Sequence, residues 1–329
     1  MFPLPSTTVL VTGANGYLGL HVLNQLLRDD KTVCAVVRSD KAIETVRANF
    51  KAYIESNQLR IITVEDLTKP ESFQNVLDET IASIAHIASP CPMGKNIRDN
   101  VRDMLSPAIT GTTPILNAAK TYASPSLRRV VQISSFSAML DLSKGSRPRY
   151  VYTEADWNPM TYKEAMVKKN KPRLDIVCLC PSTIFGPHIE TIDSMVRLQL
   201  TASLLWNLVN APEVPSLDFA GAVDVRDAAL MVVAAIDKPE AGGRRFLLAE
   251  HFDWQSAANA ARDGLSNEGR SRIPAGEPGF SKDKALNSLY TVDRSKAVDV
   301  LGIRYRPLGK TVVNTLRQFL KVDARETYC

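Results

Sequence analysis

The sequence predicts an α/β chain, a doubly wound parallel sheet followed by a smaller C-terminal lobe. Three observations lead there. Short β-branched runs alternate with segments of helical spacing through the first half. A glycine-rich turn joins the first run to the first helical segment. The chain has 329 residues, 45% of them hydrophobic, enough for one large core or two packed lobes.

TTVLVTG (7–13) is a β-branched run ending in glycine, the pattern of a buried strand. YLGLHVLNQLLRD (17–29) carries Leu18, Val22 and Leu26 at helical spacing. Between them runs Gly13-Ala14-Asn15-Gly16-Tyr17-Leu18-Gly19, a GxxGxxG spacing. Such a turn lets backbone approach a pyrophosphate, while the helix N-terminus supplies N–H groups and positive potential. Strand-to-helix turns also use glycine for purely steric reasons, so the context carries the dinucleotide reading.

KTVCAVVRS (31–39) is the second strand. A carboxylate at its end would accept from a ribose 2′-OH, whereas an arginine would pair with a 2′-phosphate. Here the residue is Arg38, with Lys41 close behind, which favours NADP(H); Asp40 lies past the strand at a helix start. LRIITVEDL (59–67) is the third strand. Asp66 at its end could accept from the adenine amino group with Leu67 against the ring, or could cap the segment opening at Thr68. ASIAHIASP (82–90) is the fourth, where small Ala88 and Ser89 would let backbone pass close to a cofactor; His86 reads as a satisfied core histidine. An amphipathic segment over 97–122 follows, with Ile109, Leu116 and Ala119, and RRVVQISSFSA (128–138) is a fifth strand running out into serines.

Further on, LDIVCLC from Leu174 is a strand in which Cys178 and Cys180 alternate as buried thiols. VDVRDAALMVVAAI (223–236) reads as a strand and a helix capped by Asp227. GRRFLLAE (243–250) is a strand, FDWQSAANAARDGL (252–265) a helix, and residues 271–279 a turn-rich loop. The amphipathic tail KTVVNTLRQFLKV (310–322) is expected to pack on the surface. Leu204, Leu205 and Trp206 suit a pocket wall or plain core.

Several function classes fall away. No run of about 18 apolar residues marks a membrane span, and the N-terminus shows no signal-peptide pattern. The five cysteines lack metal spacing, so no metal is expected, and reduced thiols point to the cytoplasm. Net charge is +5 without a dense basic block; KKNK (168–171) reads as a solvated helix end rather than a nucleic-acid patch.

With these pieces in place, the chain resembles the extended short-chain dehydrogenase/reductase family. The branch it is most similar to is the fungal NADPH-dependent aldehyde and methylglyoxal reductases, kin to dihydroflavonol 4-reductase and cinnamoyl-CoA reductase. VTGANGYLG (11–19), VVRS (36–39), EDL (65–67), HIASP (86–90), RRVVQISS (128–135), YTEADWNP (152–159), PSTIFGP (181–187) and VDVRDAA (223–229) carry the likeness, in the family's order and over nearly the whole length. The resemblance implies a Rossmann-type NADP(H)-binding domain over 1–180 and a substrate lobe over 181–329, interleaved in the sheet. It implies hydride transfer from NADPH to a small aldehyde or ketone. Gly13, Asn15, Gly16, Tyr17, Leu18 and Gly19 would line the pyrophosphate turn. Arg38 and Lys41 would meet the 2′-phosphate, Asp66 and Leu67 the adenine, and Ala88 and Ser89 the passing cofactor. Ser135 takes the position of the serine that binds the substrate carbonyl, with Ser134 as alternative. Pro181 and Ile184 fall where the family packs the nicotinamide end; PSTIFGP could equally be a turn.

The family also needs a tyrosine and a lysine four apart, on one face of a helix. The lysine lowers the phenol pKa and the tyrosine protonates the carbonyl oxygen. None of the nine tyrosines has lysine four residues on: the positions hold His21, Asn57, Ser126, Glu154, Asp156, Met166, Arg294 and Gly309, and Tyr328 has none. WNP ends at Pro159 and the next strand begins at Leu174, a gap short by roughly twenty residues, one long helix. A clean deletion of one sheet-covering helix is therefore expected, leaving Tyr162 as the local replacement for the acid.

The expected activity is NADPH-dependent carbonyl reduction, weakened by that deletion. The alternatives are a catalytically dead NADP(H)-binding protein, the product of a mis-predicted gene, or an epimerase or dehydratase on the same fold. The expected partner is a small carbonyl compound, with no nucleic acid or membrane, in a monomer or homodimer.

Overall fold

A computed structural model describes residues 8–89, 106–158, 174–216, 219–277 and 287–327. The chain runs β1 (Thr8–Thr12), α1 (Tyr17–Arg28), β2 (Val33–Val37), α2 (Asp40–Glu55), β3 (Leu59–Thr63), β4 (Ile81–His86), α3 (Ser106–Tyr122), β5 (Arg129–Ile133) and β6 (Val151–Tyr152). It continues with β7 (Asp175–Pro181), β8 (Thr183–Phe185), α4 (Leu200–Trp206), β9 (Gly221–Asp224), α5 (Val225–Asp237), β10 (Arg245–Leu248) and β11 (Glu250–His251). The last elements are α6 (Trp254–Gly264), α7 (Asn267–Ser271), β12 (Thr291–Val292), α8 (Ser295–Leu301) and α9 (Leu308–Thr327).

Two compact units divide the chain. The first holds the residues through Ile133, the segment ending at Leu179, and Ala229–Arg245. The second holds the segment opening at Ser134, Cys180–Ala228, and the chain from Phe246.

A seven-stranded sheet in the order β10-β7-β5-β4-β1-β2-β3 organises the first unit. All pairings from β7 to β3 are parallel. At the β10 edge the bonds advance together, Cys178 N–H donating to Arg244 O and Ser182 N–H to Leu248 O, which is also parallel pairing. β1 and β2 are buried at every position, as strands covered on both faces must be. Chain order leaves β1 toward β2 and β3 on one side and toward β4 on the other. The carboxyl ends of β1 and β4 therefore flank the switch point where ligands bind in such sheets.

Register assigns side chains to faces. Leu10, Cys34, Ile84, Val130 and Ile176 form one row across five strands. α3 covers that row with Ile115, Ala118 and Ala119, and Leu10, Cys34, Ile84 and Val130 are 0% exposed. The cover ends at β7, where Ile176 is half-buried, as are Gln132 and Cys178 one row further on. On the opposite face Val131, Val177 and Leu179 are all 0% exposed, while Arg129, Asp175 and Ile133 toward the strand ends are half-buried. Parallel crossovers are right-handed, so the connections β4→β5 and β5→β7, which step the same way across the sheet, share a face. The half-bared face is thus the one that the β5→β7 connection should cover.

The second unit is built on smaller sheets. β8 pairs parallel with β9, β9 antiparallel with β11, and β6 parallel with β12. Its core gathers Phe185, Leu205, Phe252, Trp254, Leu316 and Phe319.

Sequence expectations need correction at several points. β3 stops at Thr63 and β5 at Ile133: after one more bond, from Val64 N–H to Val37 O, Asp66 closes a turn with Thr68, and past β5 Ser135 caps a 3₁₀ turn. Asp224, not Asp227, caps α5: its Oδ1 accepts from Arg226 N–H at 2.8 Å, while Asp227 already lies in the first helical turn and pairs with Arg306. Two acids three apart look alike in sequence, and only the strand boundary separates them. PSTIFGP is not a turn, since Thr183–Phe185 form β8. The C-terminal helix is core rather than surface packing, with Val312, Leu316 and Phe319 at most 1% exposed. Leu205 is fully buried core, while Leu204 is 39% exposed.

Candidate cofactor-binding and catalytic site

The glycine turn sits between β1 and α1, at the carboxyl edge of the sheet. Its three glycines have three different reasons. Gly13 has φ +67°, a conformation L side chains rarely adopt, and an added Cβ would meet Ala88 N at 2.9 Å. Gly19 packs so closely beneath the turn that a Cβ would overlap the Gly13 carbonyl oxygen. Gly16 has an ordinary φ of −81°, and a Cβ there would meet only Gly13 O, at 3.2 Å. Gly13 and Gly19 are explained by the fold itself. Gly16 leaves open the space in front of α1, where a phosphate would lie. That helix start has no side-chain cap and no acid in its first turn, so its positive end is not neutralised from within. Tyr17 and Leu18 are buried by their side chains and could offer only backbone N–H groups; Asn15 is half-buried. These residues fit a dinucleotide's pyrophosphate.

Arg38 follows β2 directly and is exposed, as is Lys41 in the first turn of α2. Among the described residues neither is engaged by a carboxylate, so both cations are available to an anionic ligand. Asp66 is already committed. Its Oδ1 accepts from Thr68 N–H (2.9 Å) and Thr68 Oγ1 (2.5 Å), and Oδ2 lies 3.4 Å from Lys69 Nζ. The Thr68 hydroxyl first, and then its amide, hold this carboxyl below the usual carboxylate range. Asp66 therefore closes its own turn. Leu67 packs against the α3-covered core.

Past β4, Ala88 is half-buried and Ser89 exposed. His86 is fully buried as a core histidine: Nε2 lies 3.0 Å from the Gly111 carbonyl oxygen and Nδ1 2.8 Å from Thr12 Oγ1. Burial pushes its pKa down to about 4, slightly opposed by the Gly111 bond. Thr12 Oγ1 in turn accepts from Ala88 N–H at 3.2 Å. Thr12 was not singled out in the sequence; its place at the end of β1, directly before Gly13, was the available signal.

Ser135, Pro181 and Ile184 belong to the second unit. Ser135 is exposed and caps a 3₁₀ turn over Phe136–Ala138, its Oγ accepting from Ser137 N–H at 3.1 Å. Ser134 beside it is half-buried. Phe136 anchors an aromatic cluster with Tyr152 and Tyr290, ring centroids 5.6 and 5.9 Å away. The Tyr152 hydroxyl accepts from Asp141 N–H and Arg147 Nη1. Pro181 ends β7 buried, and Ile184 lies half-buried in β8. Tyr162, the expected helix gap and KKNK all lie outside the described residues. No group of three or more His, Cys, Asp or Glu suited to a metal ion occurs among the described residues. Nor is any described helix long and apolar enough to cross a membrane.

The profile of the NAD dependent epimerase/dehydratase family matches residues 9–249. NADPH-dependent methylglyoxal reductase GRE2 of Saccharomyces cerevisiae is 29% identical over 349 aligned positions, covering 97% of this chain and 99% of that protein. The ketoreductase azaE of Aspergillus niger is 29% identical over 348, covering 95% and 97%. The crystal structure of the yeast methylglyoxal/isovaleraldehyde reductase Gre2 complexed with NADPH superposes with a TM-score of 0.84 at 27% identity, covering 97% of this chain and 99% of that one. The alignment spans 349 positions but takes in 97% of the 329 residues of this chain, so about thirty positions are gaps on its side.

Proposed function

Because the chain belongs to the NAD dependent epimerase/dehydratase family, we propose that it is by descent an NADPH-dependent reductase of small aldehydes or ketones. The observation that carries this reading is the glycine turn whose Gly16, with an ordinary φ, would crowd only Gly13 O and leaves the space in front of α1 open, with Arg38 at the next strand end. NADPH would supply the hydride. Gly13, Gly16, Gly19 and the start of α1 would hold its pyrophosphate, Arg38 and Lys41 its 2′-phosphate, and Leu67, Ala88 and Ser89 its adenosine side. Ser135, Pro181 and Ile184 are assigned to the carbonyl and nicotinamide end. The names of the yeast and Aspergillus relatives fit this chemistry. The free thiol of Cys34, buried in β2, fits a reducing cytoplasm.

We propose further that turnover is limited by a lost Tyr–Lys helix between Trp157 and Leu174. Three observations support this. No tyrosine is followed by lysine four residues on. Alignment with the yeast relative leaves gaps of the right order on this chain's side. The half-buried Gln132, Ile176 and Cys178 lie on the face such a helix would cover. Reading the transcript from Trp157 to Leu174 separates a real deletion from a gene-prediction error. A catalytically silent NADP(H)-binding protein is the second reading, favoured by the same missing pair.

Gly16→Val tests the cofactor site. The folded variant is expected to lose NADPH binding in a calorimetric titration, since its side chain fills the space in front of α1. An unchanged titration would rule this turn out.

A further inference from the structure

His86 does more than fill the core. A carbonyl oxygen can only accept, so His86 Nε2 carries the proton and donates to Gly111 O. In the neutral ring Nδ1 is then bare, and the Thr12 hydroxyl must donate to it. Having given its proton there, Thr12 Oγ1 receives the Ala88 N–H. Each group has one direction open to it, and the order runs from Ala88 through Thr12 and His86 to the α3 backbone. The two ends of this order matter. Thr12 immediately precedes Gly13, and Gly13 lies so near the Ala88 backbone that a Cβ would come within 2.9 Å of Ala88 N. The relay therefore fixes the spacing between the glycine turn and the loop after β4.

We propose that His86 is a positioning residue for the cofactor, acting through Thr12 to set the turn at Gly13 against the backbone at Ala88. The inference rests on the cofactor reading of that turn. It gives the imidazole's two nitrogens separate tasks. Nδ1 orients Thr12 and so serves ligand binding, whereas Nε2 ties β4 to α3 and serves stability. Burial keeps the ring neutral through the physiological range, so the relay does not switch with pH.

Two substitutions split the tasks. In His86→Asn the amide oxygen takes the place of Nδ1 and can accept from Thr12, but the Gly111 bond is lost. In His86→Gln the amide N–H can still reach Gly111, but Thr12 loses its acceptor. Both are titrated with NADPH and with adenosine 2′,5′-bisphosphate, which carries the adenine end but no pyrophosphate, and both are melted. The expected result is that His86→Gln binds NADPH about tenfold more weakly and the bisphosphate as the native chain does. His86→Asn should keep near-native NADPH affinity while melting earlier. Equal NADPH affinities in the two variants, or equal loss of both ligands in His86→Gln, would overturn the relay. If His86→Gln does not fold, the nearly isosteric Thr12→Val takes its place: the same selective loss supports the relay, and native affinity overturns it. A native chain that binds no NADPH would overturn the cofactor reading itself, and the inference with it.

Discussion

The two faces of β7 are finished differently. Val177 and Leu179 are sealed at 0% exposure, while Ile176 and Cys178, on the same strand and one residue out of phase, are half-buried. Composition does not explain this, because all four of these side chains are apolar. We propose that the difference lies in the connection on each side. In a doubly wound sheet each crossover helix closes part of one face, so a shortened crossover bares a strip of sheet. In this family the crossover after β5 carries more than cover, since the Tyr–Lys pair would ride on the same helix. On the proposed deletion, packing and chemistry would weaken together, whereas the glycine turn, on another crossover, would keep its geometry.

The largest expected effect comes from restoring that helix. A segment of about twenty residues bearing the Tyr–Lys spacing, taken from a family member that has it and inserted between Met166 and Val167, should raise aldehyde reduction by the 10²–10⁴-fold that general acid catalysis typically contributes. Tyr162→Phe in the unmodified chain should leave its slow rate unchanged. The residue four beyond Tyr162 is Met166, which cannot lower a phenol pKa, and Lys169 is seven residues on, about 10 Å along a helix. Brisk turnover by the unmodified chain, abolished in Tyr162→Phe, would show a site rebuilt around that tyrosine.

Packing gives the next effect. Leu179→Ala on the sealed face should cost about 2–5 kcal/mol, and Ile176→Ala on the half-bared face about 1 kcal/mol. Urea unfolding of both variants checks this. The contrast should narrow once the helix is grafted, because Ile176 then gains a cover to lose. Equal costs in the unmodified chain would mean that the two faces are alike and that exposure there has another cause.

Much of the nucleotide half was legible because its signals are local. β-branched runs, the three glycines, Arg38 at a strand end and His86 in an apolar run each reveal themselves within a few residues, and the structure puts them at the expected edges. The errors came where neighbours in space decide. Thr311 Oγ1 donates to Asp224, and Asp227 faces Arg306, contacts spanning 87 and 79 residues that no local pattern announces. The last helix is amphipathic enough for a surface, yet α6 and the Phe185–Phe252 aromatics close over it. Asp66 was read toward adenine or as a cap for the segment opening at Thr68, and its Oδ1 does accept from Thr68 N–H. The role of Thr12 was hidden because its partners, His86 and Ala88, lie more than seventy residues on.

The smallest effect tests the intact side of the comparison. Arg38 and Lys41 are exposed cations at the end of β2, and no carboxylate ends that strand. Asp40 opens α2, where its charge favours the helix N-terminus. A 2′-phosphate between the two cations would gain a charge-assisted, forked contact from the guanidinium and a point charge from the ammonium. NADPH should therefore bind about tenfold to a hundredfold more tightly than NADH. Arg38→Ala should remove most of that preference by weakening NADPH alone, and Lys41→Ala should remove less, since an exposed ammonium is more strongly hydrated and more easily screened. The difference should shrink as salt is raised. This site lies far in sequence from the proposed deletion, so the preference should be the same with and without the grafted helix. Equal affinities for the two cofactors in the native chain would sink the NADP(H) assignment. A preference that emerges only after grafting would show that the intact half depends on the damaged one.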